Sequence, residues 1–153
     1  MNRLSIAQIV YKGKSKAQHY VDSIKASKDE YEFAKACIEN GISFTFQPDK
    51  VSLIEGFQGS LKNYRDTTYT ADFDTPYGIV EIKGFMRADN SLKHKLADKY
   101  YSDRDIKYFV LKWKGSIKEG TKGFYPYSWS QFKTIKDKDE LKKREWFSIV
   151  KGE

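Results

Sequence analysis

The chain has 153 residues and a mass of 17.9 kDa, enough for one core of ordinary size and too little for two full domains. No apolar run approaches the roughly 18 residues that span a bilayer, and Met1-Asn-Arg-Leu-Ser lacks the long apolar stretch of a secretory signal, so a soluble, intracellular protein is expected. The net charge of +7 is unevenly spread: six Lys and Arg against one Asp give +5 over residues 1–28, four against ten give −6 over 29–82, and eighteen against ten give +8 over 83–153. An acidic centre between basic flanks is the pattern expected where clustered carboxylates must approach a polyanion, with lysines supplying attraction and a metal masking the acids. Nucleic acid fits that description, although a lysine-rich run is also how a merely solvated face reads. The single cysteine, Cys37, cannot form an internal disulfide and is read as core.

In chain order, Leu4 to Tyr11 reads as strand or helix, and Lys12-Gly-Lys-Ser-Lys16 as a basic loop whose Lys12, Lys14 and Lys16 are expected to contact phosphates. Ser27-Lys-Asp-Glu30 has the form of a capping box, with Gly41 as the stop. At 100° per residue Glu30 lies at the centre of a face shared with Phe33, Ala34, Cys37 and Ile38, while Glu32 falls on the polar side with Lys35 and Glu39. Glu30 is therefore either a cap alone or a third acidic group directed over the sheet.

Ile42 to Phe46 alternates and reads as a strand; residues 49–66 read as a further extended stretch and a loop. Two strand-like runs follow, Thr68-Tyr-Thr-Ala-Asp-Phe73 and Gly78-Ile-Val-Glu-Ile-Lys83, joined by a Pro-containing turn. If residues 75–78 form a four-residue loop, Asp74 faces Ile79, Phe73 faces Val80, and Asp72 falls opposite Glu81. Lys83, two residues on, returns to the same side about 7 Å along. Two carboxylates with Cβ atoms roughly 5 Å apart are able to share a hard cation, whose Mg–O distance is about 2.0–2.1 Å. A solvated cross-strand acidic pair, with Lys83 softening the repulsion, is the other reading.

Residues 91–101 predict a helix with Leu92, Leu96 and Tyr100 on its apolar line and Lys93, His94 and Lys95 on a basic, phosphate-contacting face. Ile106 to Trp113 predicts a buried strand, Gly123 to Trp129 an aromatic packing segment, and residues 137–146 a helix. The expectation is an α/β single domain.

A hard cation at Asp72 and Glu81 would polarise a phosphate oxygen and acidify a bound water, with Lys83 orienting that nucleophile or stabilising the charged transition state, which is the chemistry of phosphodiester hydrolysis. His19 and His94 have no companions at zinc-ligand spacing, and no Walker loop is present.

The residues Thr68 to Phe73, Pro76, Gly78-Ile79 and Glu81-Ile-Lys-Gly84 resemble the PD-(D/E)xK nuclease signature, specifically the phage endonuclease I type of Holliday-junction resolvase, with Ala71 where that family usually has proline. The likeness continues through Lys93-His94 to Asp105-Ile106-Lys107. Upstream, Asp29-Glu30 and Gly41-Ile42-Ser-Phe44 are similar to the family's helix carrying its first acidic residue; fainter likeness remains at Ser128-Trp129 and Glu145-Trp146. The resemblance implies a restriction-endonuclease-like fold, with a mixed central sheet flanked by helices, and a Mg²⁺-dependent endodeoxyribonuclease in which Mn²⁺ substitutes. It assigns Glu30, Asp72 and Glu81 as metal ligands and Lys83 as the cationic catalytic partner. It implies a branched-DNA substrate, a homodimer with exchanged segments in which the helix glutamate comes from the partner chain, and a host cytoplasm if the chain is of phage origin. The expected layout is a basic segment over 1–26, a catalytic core over 27–113 and an extension over 114–153. A duplex-cutting or nicking nuclease of the same fold and a non-catalytic DNA-binding module are the alternatives. The segment between Gly41 and Asp72 is longer than in the family pattern.

Overall fold

A computed structural model describes residues 9–11, 24–84, 88–115, 122–126 and 144–152. Lys12, Lys14 and Lys16 lie outside the described residues, as does most of the helix expected over 137–146. Two short strands, β1 (Ile9–Tyr11) and β2 (Ile24–Ala26), pair in parallel and lead into helix α1 (Lys28–Glu39). Both halves of the α1 capping box form: Ser27 Oγ accepts the Glu30 N–H at 3.3 Å, and Glu30 Oε1 accepts the Ser27 N–H at 3.2 Å. Gly41, at φ +69°, supplies the left-handed residue that ends the helix.

Among the described residues the central sheet has five strands. Its order is β11 (Lys122–Pro126), β10 (Tyr108–Gly115), β9 (Gly78–Ile82), β8 (Phe73–Thr75) and β3 (Thr45–Phe46). All neighbours are antiparallel except β9 and β10, which run parallel and are joined through helix α2 (Ala88–Ser102). The architecture is thus mixed α/β with a mixed central sheet and few helices. Between β3 and β8 the chain makes a separate ribbon, in which β4 (Val51–Ile54) pairs with β7 (Thr67–Tyr69) and β5 (Phe57–Gln58) with β6 (Asn63–Tyr64).

Alternation along the strands gives the sheet two packed faces. On one, Phe33, Ala34 and Cys37 of α1 meet Phe73, Val80, Ile82, Leu111 and Phe124. Helix α3 (Trp146–Lys151) adds Trp146 and Phe147 to the same cluster. Phe33 is the hub, with ring centroids of Phe73, Phe124, Trp146 and Phe147 at 4.7, 5.1, 5.4 and 5.6 Å. The segment expected to be an extension therefore completes the core. On the other face Ile79 packs with Tyr69, Ala71, Ala97 and Tyr101 beneath α2.

Three local expectations are corrected. The run 68–73 is not one strand: β7 belongs to the ribbon and β8 to the central sheet, with the change of sheet at residues 70–72. Trp146 starts a helix instead of ending one, because the Glu145 carboxylate caps it by accepting the Phe147 N–H at 3.1 Å. The inner line of α2 is Ser91, His94, Ala97 and Tyr101, while Leu92 is 59% exposed. A polar and aromatic inner face leaves little apolar periodicity to read, so Leu92, Leu96 and Tyr100 misled the phase.

Candidate active site

The hairpin of β8 and β9 sets the site. Phe73 pairs with Val80, Asp74 with Ile79 and Thr75 with Gly78, so the turn is Pro76-Tyr77 alone, shorter than the expected loop but in the same register. Thr75 Oγ1 ties the turn by donating to the Gly78 carbonyl at 2.7 Å and accepting the Tyr77 N–H at 3.2 Å. Gly78 has φ +135°, and a Cβ there would stand 2.5 Å from the Lys107 carbonyl oxygen, so only glycine fits where β9 closes against the segment entering β10.

One step beyond the last ladder pair, Asp72 and Glu81 are opposed. Asp72 Oδ2 accepts the Ile82 N–H at 2.8 Å, which pins its carboxylate against β9. Glu81 is 5% exposed, and its Oε2 accepts the Tyr69 hydroxyl at 2.5 Å. Lys83 Nζ lies 3.7 Å from Glu81 Oε1. The Lys83 N–H donates to the Leu111 carbonyl at 2.9 Å, so the sheet bonding that fixes Glu81 extends to the lysine.

These acids are held against their preference. Burial, then the Glu81 and Glu30 charges, push Asp72 well above the usual carboxylate range, against the Ile82 N–H and Lys83. Burial raises Glu81 as well; the Tyr69 hydroxyl, Lys83 and the Asp72 N–H oppose that rise, and Glu30 adds to it. A buried carboxylate beside a half-buried one, short of positive charge, is what a hard cation relieves.

Glu30 is near enough for its charge to act on both acids of its own chain, but it is turned back onto Ser27. Within the one chain described, Glu30 therefore serves the helix cap and is not grouped with Asp72 and Glu81. Among the described residues no three His, Cys, Asp or Glu side chains form a group able to hold a metal ion. The Asp72 and Glu81 pair still fits Mg²⁺, which keeps several waters and takes one or two carboxylates together with substrate phosphate oxygens.

Beside the pair is a cavity of about 290 Å³, lined by Thr68, Tyr69, Thr70, Glu81, Lys83, Asn90, Lys93 and His94. Lys83 and Lys93 both line it, while Lys95 is exposed elsewhere on α2. The surface placement of His94 is corrected. It is 2% exposed, and its Nδ1 lies 2.8 Å from the Tyr108 hydroxyl. Burial, then the Lys83 and Lys93 charges, lower its pKa to about 4.

Sequence reasoning missed Tyr69 and Tyr108, whose hydroxyls lie 2.9 Å apart. Tyr69 sits in the run 68–73, but its reach to Glu81 depends on β7 packing in the cluster with Ile79. The position of Tyr108 opposite Ile79 follows from the parallel pairing of β10 with β9. Neither leaves a local signal. Comparison with family models, with curated proteins and with solved structures gives no match.

Proposed function

We propose that this chain is a metal-dependent endodeoxyribonuclease of restriction-endonuclease-like fold that hydrolyses phosphodiester bonds in branched DNA, as the resemblance to phage endonuclease I type resolvases implies. The observation that carries the reading is the placement of Asp72, Glu81 and Lys83 together at the end of β9 beside a lysine-lined cavity. Asp72 and Glu81 would hold Mg²⁺, or Mn²⁺ in its place. When bound, the cation supplies Lewis-acid polarisation of the phosphate and an acidified water.

The chain's own groups do the remainder. Lys83, beside Glu81 Oε1, orients the attacking water or meets charge developing on the phosphate. Lys93 draws the strand into the cavity. Tyr69 occupies Glu81 Oε2 and leaves Oε1 on the Lys83 side. Coordinated cutting of both strands at a junction needs two centres, which a homodimer related by a two-fold axis provides. In a homodimer with exchanged segments, the helix glutamate at each centre would come from the partner chain.

The test is incubation with a synthetic four-way junction and a duplex of matching arm sequence, with and without Mg²⁺. Paired cuts in the junction, dependent on Mg²⁺, support the reading. Preference for the duplex moves the substrate to linear DNA, and binding without any cutting leaves only a DNA-binding module.

A further inference from the structure

Four side chains form an unbroken chain of hydrogen bonds leading away from the site. Glu81 Oε2 is 2.5 Å from Tyr69 Oη, Tyr69 Oη is 2.9 Å from Tyr108 Oη, and Tyr108 Oη is 2.8 Å from His94 Nδ1. The four come from β9, β7, β10 and α2, so the chain joins the ribbon, the central sheet and the covering helix at one carboxylate. Ring packing holds it in place: Tyr108 stacks on Tyr101 at 5.9 Å and 9°, and Tyr69 meets both His94 and Tyr101 edge-on.

The direction of these bonds follows from counting protons. An ionised carboxylate only accepts, and each phenol has one proton to give. Tyr69 spends its proton on Glu81, so the Tyr69 oxygen accepts from Tyr108. Tyr108 has then spent its own, and its oxygen accepts from His94. The imidazole proton must therefore sit on Nδ1.

We propose that Tyr108 and His94 are positioning residues for the Glu81 carboxylate, acting through Tyr69, and that ionised Glu81 fixes His94 as the Nδ1–H tautomer. The chain fixes Oε2 as the protein-facing oxygen and directs Oε1 toward Lys83 and the cation position. The positioning role rests on the nuclease reading; the tautomer does not. Outer partners of this kind typically change metal affinity by about 10–100-fold when removed.

The experiment uses the full chain at pH 8, without DNA. Long-range ¹H–¹⁵N spectra of the His94 ring report the tautomer, and calorimetric titration with Mn²⁺ reports affinity. The parent should show a protonated Nδ1 and an unprotonated Nε2. Tyr108→Phe should release that tautomer and weaken Mn²⁺ binding about 10-fold. His94→Ala should weaken binding likewise, whereas His94→Asn, whose amide N–H stands close to the place of Nδ1–H, should retain most of the affinity. A merely structural role would not make the asparagine rescue. Nε2–H in the parent, or unchanged Mn²⁺ affinity in both Tyr108→Phe and His94→Ala, would overturn the proposal. Failure of the parent to cut any DNA would overturn the nuclease reading and leave the tautomer result standing.

Discussion

Lys83 Nζ and Glu81 Oε1 stand 3.7 Å apart, two residues along one face at the end of β9. The pairing gives the lysine two functions. It tempers a buried carboxylate that burial alone would push further toward its neutral form, and under the proposed function it would keep an ammonium where a phosphate arrives.

Lys83→Ala removes both. Cleavage should fall by about 10²–10³-fold, the usual cost of losing one preorganised transition-state donor, while Mn²⁺ still binds. Single-turnover rates at saturating metal check this: a rate within threefold of the parent would remove Lys83 from the chemistry.

Asp72→Asn should stabilise the metal-free protein. Its folded pKa is raised, so ionised Asp72 destabilises the native state at pH values above that pKa, and the penalty disappears on acidification as the group takes up its proton in both states. Asparagine keeps an acceptor for the Ile82 N–H and carries no charge. A gain on the order of 1 kcal/mol is about 2–4 °C in Tm for a chain of this size, and thermal melts at pH 8 in chelator should show it. The gain should shrink at pH 4.

His94 titrates in the opposite sense. Its folded pKa of about 4 lies below the ordinary 6.5, so the unfolded chain takes up the proton first. The stability contributed by neutral His94 is complete above pH 6.5, falls as pH drops through the window, and is gone below about 4. NMR titration should place the ring near 4, and His94→Asn should remove this part of the acid slope in denaturant melts. A ring pKa near 6.5 would mean that His94 faces solvent.

Glu30→Gln preserves the capping box, since glutamine also accepts the Ser27 N–H, so stability should hold within about 0.5 kcal/mol. Losing its charge beside Asp72 and Glu81 should weaken the Mn²⁺ midpoint by up to about 10-fold. Glu32→Gln, on the polar side of α1, should leave the midpoint unchanged. Equal effects of the two would show that Glu30 acts only as a cap.

What the sequence made legible was local. The hairpin register followed from a Pro turn, a glycine and period-2 alternation, and it placed Asp72 opposite Glu81 with Lys83 beside them. The α1 cap and buried face followed from Ser27, Glu30, Phe33 and Cys37. What it hid depended on packing between distant segments. The inner face of α2 is built from His94 and Tyr101 because it covers a polar network, so hydrophobic periodicity pointed instead to Leu92. The link from Tyr69 to Glu81 exists only because the chain leaves the ribbon at residues 70–72 and enters the central sheet. Glu30 read as cap or as ligand because one side chain suits both, and in the single chain its cap is the contact that forms.

Under the proposed function, Asp72 and Glu81 hold the cation that cuts DNA. The most direct measurement of that role is cleavage of a labelled four-way junction by the parent chain and by Asp72→Asn, each with Mg²⁺ and with excess chelator. Cutting by the parent is expected with Mg²⁺ alone, and none by Asp72→Asn although it binds the junction at least as tightly. Cutting by Asp72→Asn at the parent's rate, or a folded parent that cuts neither junction nor duplex with Mg²⁺ or Mn²⁺, would contradict that role.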